Sequence, residues 1–165
     1  VKAMTYHGPD GAMTSDPTLD FLEHIIFRTR DRYWQAGSGD STLSVVEQKG
    51  TKDVQILHDE PAMSFWLVER HGFFFTYFEK SAKDVKQFVP FAGGDCKPWV
   101  EHGVGGLEVY VPRACFVSRP FAWEVVHEFC RSKMRSPAVP WVNRSALEFP
   151  NPAAGDARPA KTDLA

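Results

Sequence analysis

Glu124 and His127 stand three residues apart, a spacing that on a helix puts a carboxylate and an imidazole on one face, as in half of a di-iron carboxylate site. The complementary half is missing. Such a site needs a second motif and further carboxylates, and Glu23-His24 has the wrong spacing, so a solvated helix face is expected, with no metal and no cofactor. Cys130 follows His127 by three and could be a thiol beside its base. Two side chains on one rigid turn leave no room for a substrate between them, and a free Cys more often serves as a small buried apolar group. Cys96, near His102 in a glycine-containing loop, is the better nucleophile candidate. It carries the alternative reading, a small enzyme or ligand-binding domain using Cys96 and His102, although no orienting Asn or Asp can be picked out beside them. No paired-cysteine zinc pattern occurs, and His102-Gly-Val-Gly-Gly lacks the strand-to-helix context of a phosphate-cradling loop. The leading expectation is a protein that is not an enzyme.

A surface chemistry remains. Asp53, Asp59, Glu60, Asp95, Glu101 and Glu108 fall in expected loops and strand faces alongside Trp66 and Trp99. Acidic groups speed the encounter with a basic partner, and a buried aromatic supplies local binding energy, on the order of 2 kcal/mol at a hot spot. The residues expected to touch a partner are Asp59, Glu60, Asp95, Trp99, Glu101 and His102, because loops on a rigid scaffold commonly carry recognition. Nineteen basic against 21 acidic residues give a formal charge of −2, so no global positive field holds a nucleic-acid backbone. The longest apolar runs, such as Gly72 to Phe75, fall far short of a membrane span. The start, Val1-Lys2-Ala3-Met4, lacks the succession of a secretory signal. Cys96, Cys115 and Cys130 are odd in number and widely spaced, which argues against a disulfide framework and suits a reducing, cytoplasmic setting.

The elements that must position these groups read as α+β. Residues 1–15, rich in Gly, Pro, Asp and Ser, are expected to form a flexible lead, and no internal repeat is present. Asp16 as N-cap and Pro17 at the first helical position open a helix to about Arg30, with Leu19, Leu22, Ile25 and Ile26 at helical spacing. Leu43 and Val45, then Val54 and Ile56, alternate around a Lys49-Gly50 turn as a first hairpin. Met63 to Arg70 and Phe73 to Glu79, joined at His71-Gly72, form a second, central one, because large apolar groups line both its faces. Ser81 to Gly106 is punctuated by Pro90, Gly93-Gly94 and Pro98 and reads as a long loop. Leu107, Val109 and Val111 give a strand, and Arg113 to Val117 another short one. Ser118 caps a second helix to about Met134, with Phe121, Val125, Val126 and Phe129 toward the core and Arg131, Lys133 and Arg135 suiting its C-terminal dipole. Ala138 to Val142, with Pro140, reads as an edge strand. The expected fold is thus a mainly antiparallel sheet of about five to seven strands with an N-terminal and a C-terminal helix packed on it. Residues 16–149 form a single domain of this kind, and 150–165 a mobile tail.

Two stretches resemble the immunity protein 1 family of bacterial polymorphic toxin systems. The first is Tyr33-Trp34-Gln35-Ala36-Gly37-Ser38-Gly39-Asp40-Ser41-Thr42-Leu43, a GSGD-type turn feeding a strand. The second is Phe116-Val117-Ser118, Ala122, Glu128-Phe129 and Val139-Pro140-Trp141, similar to the family's closing strand, helix and tryptophan-bearing strand. The likeness in element order spans about Asp16 to Asn143, but where the family has a Gly-x-Arg-Pro-like turn this chain has Lys133-Met-Arg-Ser-Pro137. The resemblance implies a cytoplasmic antitoxin, a monomer or weak dimer without a cofactor. It would bind and block a cognate toxin domain, often a nuclease or deaminase, possessing no turnover of its own.

Overall fold

The computed structural model describes residues 1–50 and 53–149. Strand alternation organises it. Along β5 (Ala62–Val68) and β6 (Gly72–Lys80), Phe65, Phe73 and Phe75 point to one side of the sheet and Trp66 and Phe74 to the other. Both sides are apolar, so both must be covered. The first is covered by helices. Trp34 of α2 (Asp31–Trp34) lies 5.8 Å from the Phe65 ring and 5.7 Å from that of Phe73, and Phe129 of α3 (Arg119–Ser132) meets Tyr77 edge-on at 6.2 Å. Leu22, Ile25 and Ile26 of α1 (Leu19–Arg28) are buried with them. Each such side chain contributes on the order of 2 kcal/mol of burial free energy. The second side is covered by a separate two-stranded sheet, β8 (Trp99–Val104) paired with β9 (Leu107–Pro112).

The main sheet has eight strands, and every pairing in it is antiparallel. Its order is β10 (Trp141–Asn143), β7 (Val85–Pro90), β6, β5, β3 (Ser41–Lys49), β1 (Lys2–His7) and β2 (Met13–Ser15), with β4 (Asp53–Ile56) on the far half of β3. The expected α+β class, the antiparallel sheet and the helix at each end are present. Among the described residues no helix is long and apolar enough to cross a membrane.

Several elements differ from expectation. The first fifteen residues are no flexible lead: β1 lies between β3 and β2, and Tyr6 is fully enclosed. Their Gly, Pro and Asp content builds the tight connection between β1 and β2, closed by Gly8 N–H to the Ala12 carbonyl at 2.9 Å. The first helix is capped by Thr18, whose Oγ1 accepts from Phe21 N–H at 3.1 Å. Asp16 instead accepts from Met4 N–H, and Leu19 is 46% exposed. The stretch 81–106 holds β7 and β8, because Pro90 and Pro98 fall at a strand end and just before a strand start, where no ladder bond is lost. Arg113–Cys115 is a 3-10 turn, leaving only a bridge from Val117 to Phe73. In α3, Val125, Val126 and Phe129 are buried as expected, but Phe121 is 51% exposed. The proposed cap, Ser118, makes no side-chain bond to the helix. The edge strand begins at Trp141, and the tail 150–165 lies outside the described residues.

Arg119 joins the two long helices. Its guanidinium donates to the carbonyls of Ile26 at 2.6 Å and Thr29 at 2.9 Å, satisfying the open C-terminal end of α1 from the start of α3.

Candidate functional site: the hairpin across the sheet

The six residues expected to touch a partner fall into two groups on opposite faces of the main sheet. Asp59 and Glu60 lie in the connection between β4 and β5. Glu60 pairs with Lys2 and lines a concavity of 380 Å³ with Met4, Asp16, Cys130 and Lys133 on the helix side. Asp95, Trp99, Glu101 and His102 belong to the loop before β8 and to β8 itself, on the other side. One continuous surface through all six is therefore not what the fold builds. The second group forms the better-defined feature.

Alternation along β8 decides which side chains serve the hairpin and which face outward. Val100 and His102 are buried, while Glu101 between them is exposed. His102 stacks on Trp66 with ring centroids 5.3 Å apart and planes 13° from parallel, and its Nε2–H donates to the Gly39 carbonyl at 2.7 Å. Burial pushes its pKa below the usual imidazole value, partly offset by that bond and by the Asp31 and Asp40 carboxylates. It is a neutral pin holding the hairpin to the sheet, turned away from any partner.

The loop 36–40 works as a clamp around that pin. Ser38 N–H donates to the Pro9 carbonyl and Gly105 N–H to the Ser38 carbonyl, both at 2.8 Å, so one loop ties the β1–β2 turn to the tip of the β8–β9 hairpin. The approach leaves no room for a side chain: a Cβ on Gly39 would lie 1.9 Å from the Gly103 oxygen, and one on Gly37 would lie 1.9 Å from the Pro9 oxygen. Beneath the clamp, the Tyr6 hydroxyl meets that of Tyr33 at 2.8 Å and Ser41 Oγ at 2.7 Å. Burial pushes the Tyr6 phenol far above its ordinary value and keeps it neutral. At the other end, Phe73 and Val117 exchange two 2.8 Å backbone hydrogen bonds that fix the exit from β9 to β6. The hairpin is thus held at both ends.

What this fixed hairpin presents outward is acidic with an apolar tip. Asp95, Glu101 and Glu108 are exposed, Leu107 is 69% exposed, and Lys97 and Arg113 are the exposed cations beside them. Asp95 Oδ1 accepts from Lys97 N–H at 3.0 Å, and the Lys97 ammonium sits 5.3 Å from the Trp99 ring centroid. Trp99 is half-buried, and its Nε1–H has no acceptor among the described residues. Leu107 and Glu108 were not among the expected contact residues. Their signal was the Gly105-Gly106 turn, which makes them the tip of a hairpin.

The thiols and the helix histidine occupy other settings. Cys115 is fully buried, which pushes its thiol up to about 12. Cys130 Sγ lies 3.8 Å from Met4 Sδ, and burial also raises its pKa. His127 packs against Trp123 at 5.7 Å, and Glu124 is exposed. Cys96 lies before the start of β8, whereas His102 is three residues past Trp99 along an extended strand, roughly 10 Å further on. The thiol and imidazole of the alternative reading are therefore set at different ends of the hairpin.

Compared with known proteins, the chain matches no family model, no curated relative and no solved structure.

Proposed function

We propose that the chain is an immunity protein that binds and blocks a cognate toxin domain in the cytoplasm, presenting the β8–β9 hairpin and the loop before it to that partner. The observation that carries the reading is the hairpin itself: it lies off the main sheet, is pinned at both ends, and turns Asp95, Glu101, Glu108 and Leu107 outward. A surface ordered before binding loses little conformational freedom on association, and this is how a modest patch reaches high affinity. Carboxylates at its rim favour a basic target, such as the cleft of an enzyme that handles nucleic acid. The resemblance carried by the GSGD-type turn and by the Val139-Pro140-Trp141 segment supports the same class, and that turn is the clamp on the hairpin.

The test is co-expression with the C-terminal domain of the toxin encoded beside it. Growth of the host and a co-purifying complex are expected with the wild-type chain. Asp95→Lys with Glu101→Lys should weaken both. A toxin domain that kills equally with and without the chain would overturn the proposal.

A further inference from the structure

A groove of 330 Å³ opens where three segments meet: Pro90 and Phe91 at the end of β7, Phe116 and Phe121 leading into α3, and Val139 and Pro140 ahead of β10. Phe91 N–H donates to the Pro140 carbonyl at 3.0 Å and joins two of these walls. No ionisable side chain lines the groove, whereas charged groups line the concavities at Glu60, at Lys86 and at Glu23. Phe121, expected in the core, is 51% exposed beside it, a large ring left to water among the described residues. Ser118 adds the one polar side chain, and its hydroxyl makes no bond to the helix it precedes.

The chain itself brings a segment of matching character to this groove. Phe74 carries the Phe149 ring at 6.3 Å and the Phe116 ring at 6.0 Å, so Phe149 stands two ring contacts from the groove. Residues 150–154, which lie outside the described residues, read Pro-Asn-Pro-Ala-Ala, and the first ionisable side chain after Glu148 is that of Asp156. In a polyproline II conformation five residues span about 15 Å, more than those two contacts end to end. Pro150 and Pro152 have no N–H to bury unpaired. Proline-rich segments dock in aromatic-lined grooves because they have little conformational freedom left to lose.

We propose that residues 150–154 dock in this groove on their own chain, with Pro152 and Ala153 against Phe116 and Phe121 and the Ser118 hydroxyl donating to a backbone carbonyl of the segment. A segment tethered by so few residues is held at roughly millimolar effective concentration, so even a millimolar intrinsic affinity docks about half of the molecules. The same segment on a second copy would compete only when the protein itself approaches that concentration. Docking removes the Phe121 ring from water. The inference stands apart from the immunity reading and does not depend on it.

The experiment is NMR of the isotope-labelled full chain, held well below millimolar concentration. Nuclear Overhauser effects should connect the Phe116 and Phe121 rings to the side chains of Pro152 and Ala153. Amides 151, 153 and 154 should exchange with water about twofold or more slowly than in a free peptide of the same sequence. Pro152→Asp with Ala153→Asp alters the segment and no residue of the groove. It should abolish these contacts, return the three amides to the free-peptide rate and shift the Phe121 ring signals. Phe121→Ser should release the segment from the groove side. Absence of the contacts in the wild-type chain, exchange at the free-peptide rate, or contacts seen only between labelled and unlabelled copies in a mixed sample would overturn the proposal. These readouts need no toxin, so their failure and that of the immunity reading are separable.

Discussion

Replacing Gly39 by Ala should detach the tip of the hairpin. Gly39 has φ +78°, where an L residue is disfavoured by about 1–2 kcal/mol. The added Cβ would also lie 1.9 Å from the Gly103 oxygen, a backbone atom that cannot rotate away. The loop and the hairpin must therefore separate, losing the His102 bond to Gly39 and the Gly105 bond to Ser38, each worth about 1 kcal/mol. The expected cost is about 3–4 kcal/mol. Gly106→Ala is the internal control, since Gly106 has φ +80° with open space around it and should show the backbone penalty alone, about 1–2 kcal/mol. Urea unfolding followed by tryptophan fluorescence measures both, with the m-value checking that the unfolded states match. Equal losses in the two variants would refute the clamp, because they would mean that the hairpin tip gives way without resistance.

Other expectations follow from the same structure. Trp34 Nε1–H donates to Thr29 Oγ1 at 2.9 Å, whereas Trp66 Nε1–H is buried without a partner among the described residues. Trp34→Phe should therefore cost about 1–3 kcal/mol in thermal or urea unfolding, and Trp66→Phe should stay within about 1 kcal/mol of wild type, since it removes an unpaired donor. Burial lowers the folded-state pKa of His102 and His71 below the ordinary imidazole value of about 6.5, so the unfolded chain takes up protons first. Their contribution to stability is complete above that value and is lost as pH falls below it toward the folded pKa; unfolding curves across this window should show the decline, less steep in His102→Gln. Asp95→Lys with Glu101→Lys should slow association with the proposed toxin partner by roughly tenfold or more at low salt. Surface plasmon resonance should show that effect shrinking as salt is added, with unfolding midpoints near those of the wild type because both side chains are exposed.

How well each element could be read from sequence followed from how local its cause is. The β5–β6 hairpin and α3 were legible because Phe65, Trp66, Phe73 to Phe75, Val125 and Phe129 repeat with the period of the backbone they sit on. β1 was missed although Met4 and Tyr6 alternate with Thr5, since the glycines and proline that follow indicate a turn without saying what the turn joins. β7 was missed for a similar reason, because Val85 and Lys86 are exposed and only Val89 and Pro90 are buried.

The candidate site divides along the same line. That Gly37 and Gly39 stand in a turn is a property of a few adjacent residues, and the sequence alone determines it; that Glu101 stands on a strand, where a loop was expected, emerged only with the pairing of β8 to β9. That Gly39 faces Gly103, that His102 is a buried pin where an exposed contact was expected, and that Glu60 and Glu101 lie on opposite sides of the sheet were decided by tertiary structure. Gly39 and His102 are separated by 63 residues, and their hydrogen bond exists only because the β8–β9 hairpin folds back over β5 to cover Trp66. A central strand with large apolar groups on both faces demands a cover on each side. Which segment supplies it is settled by packing between distant parts of the chain.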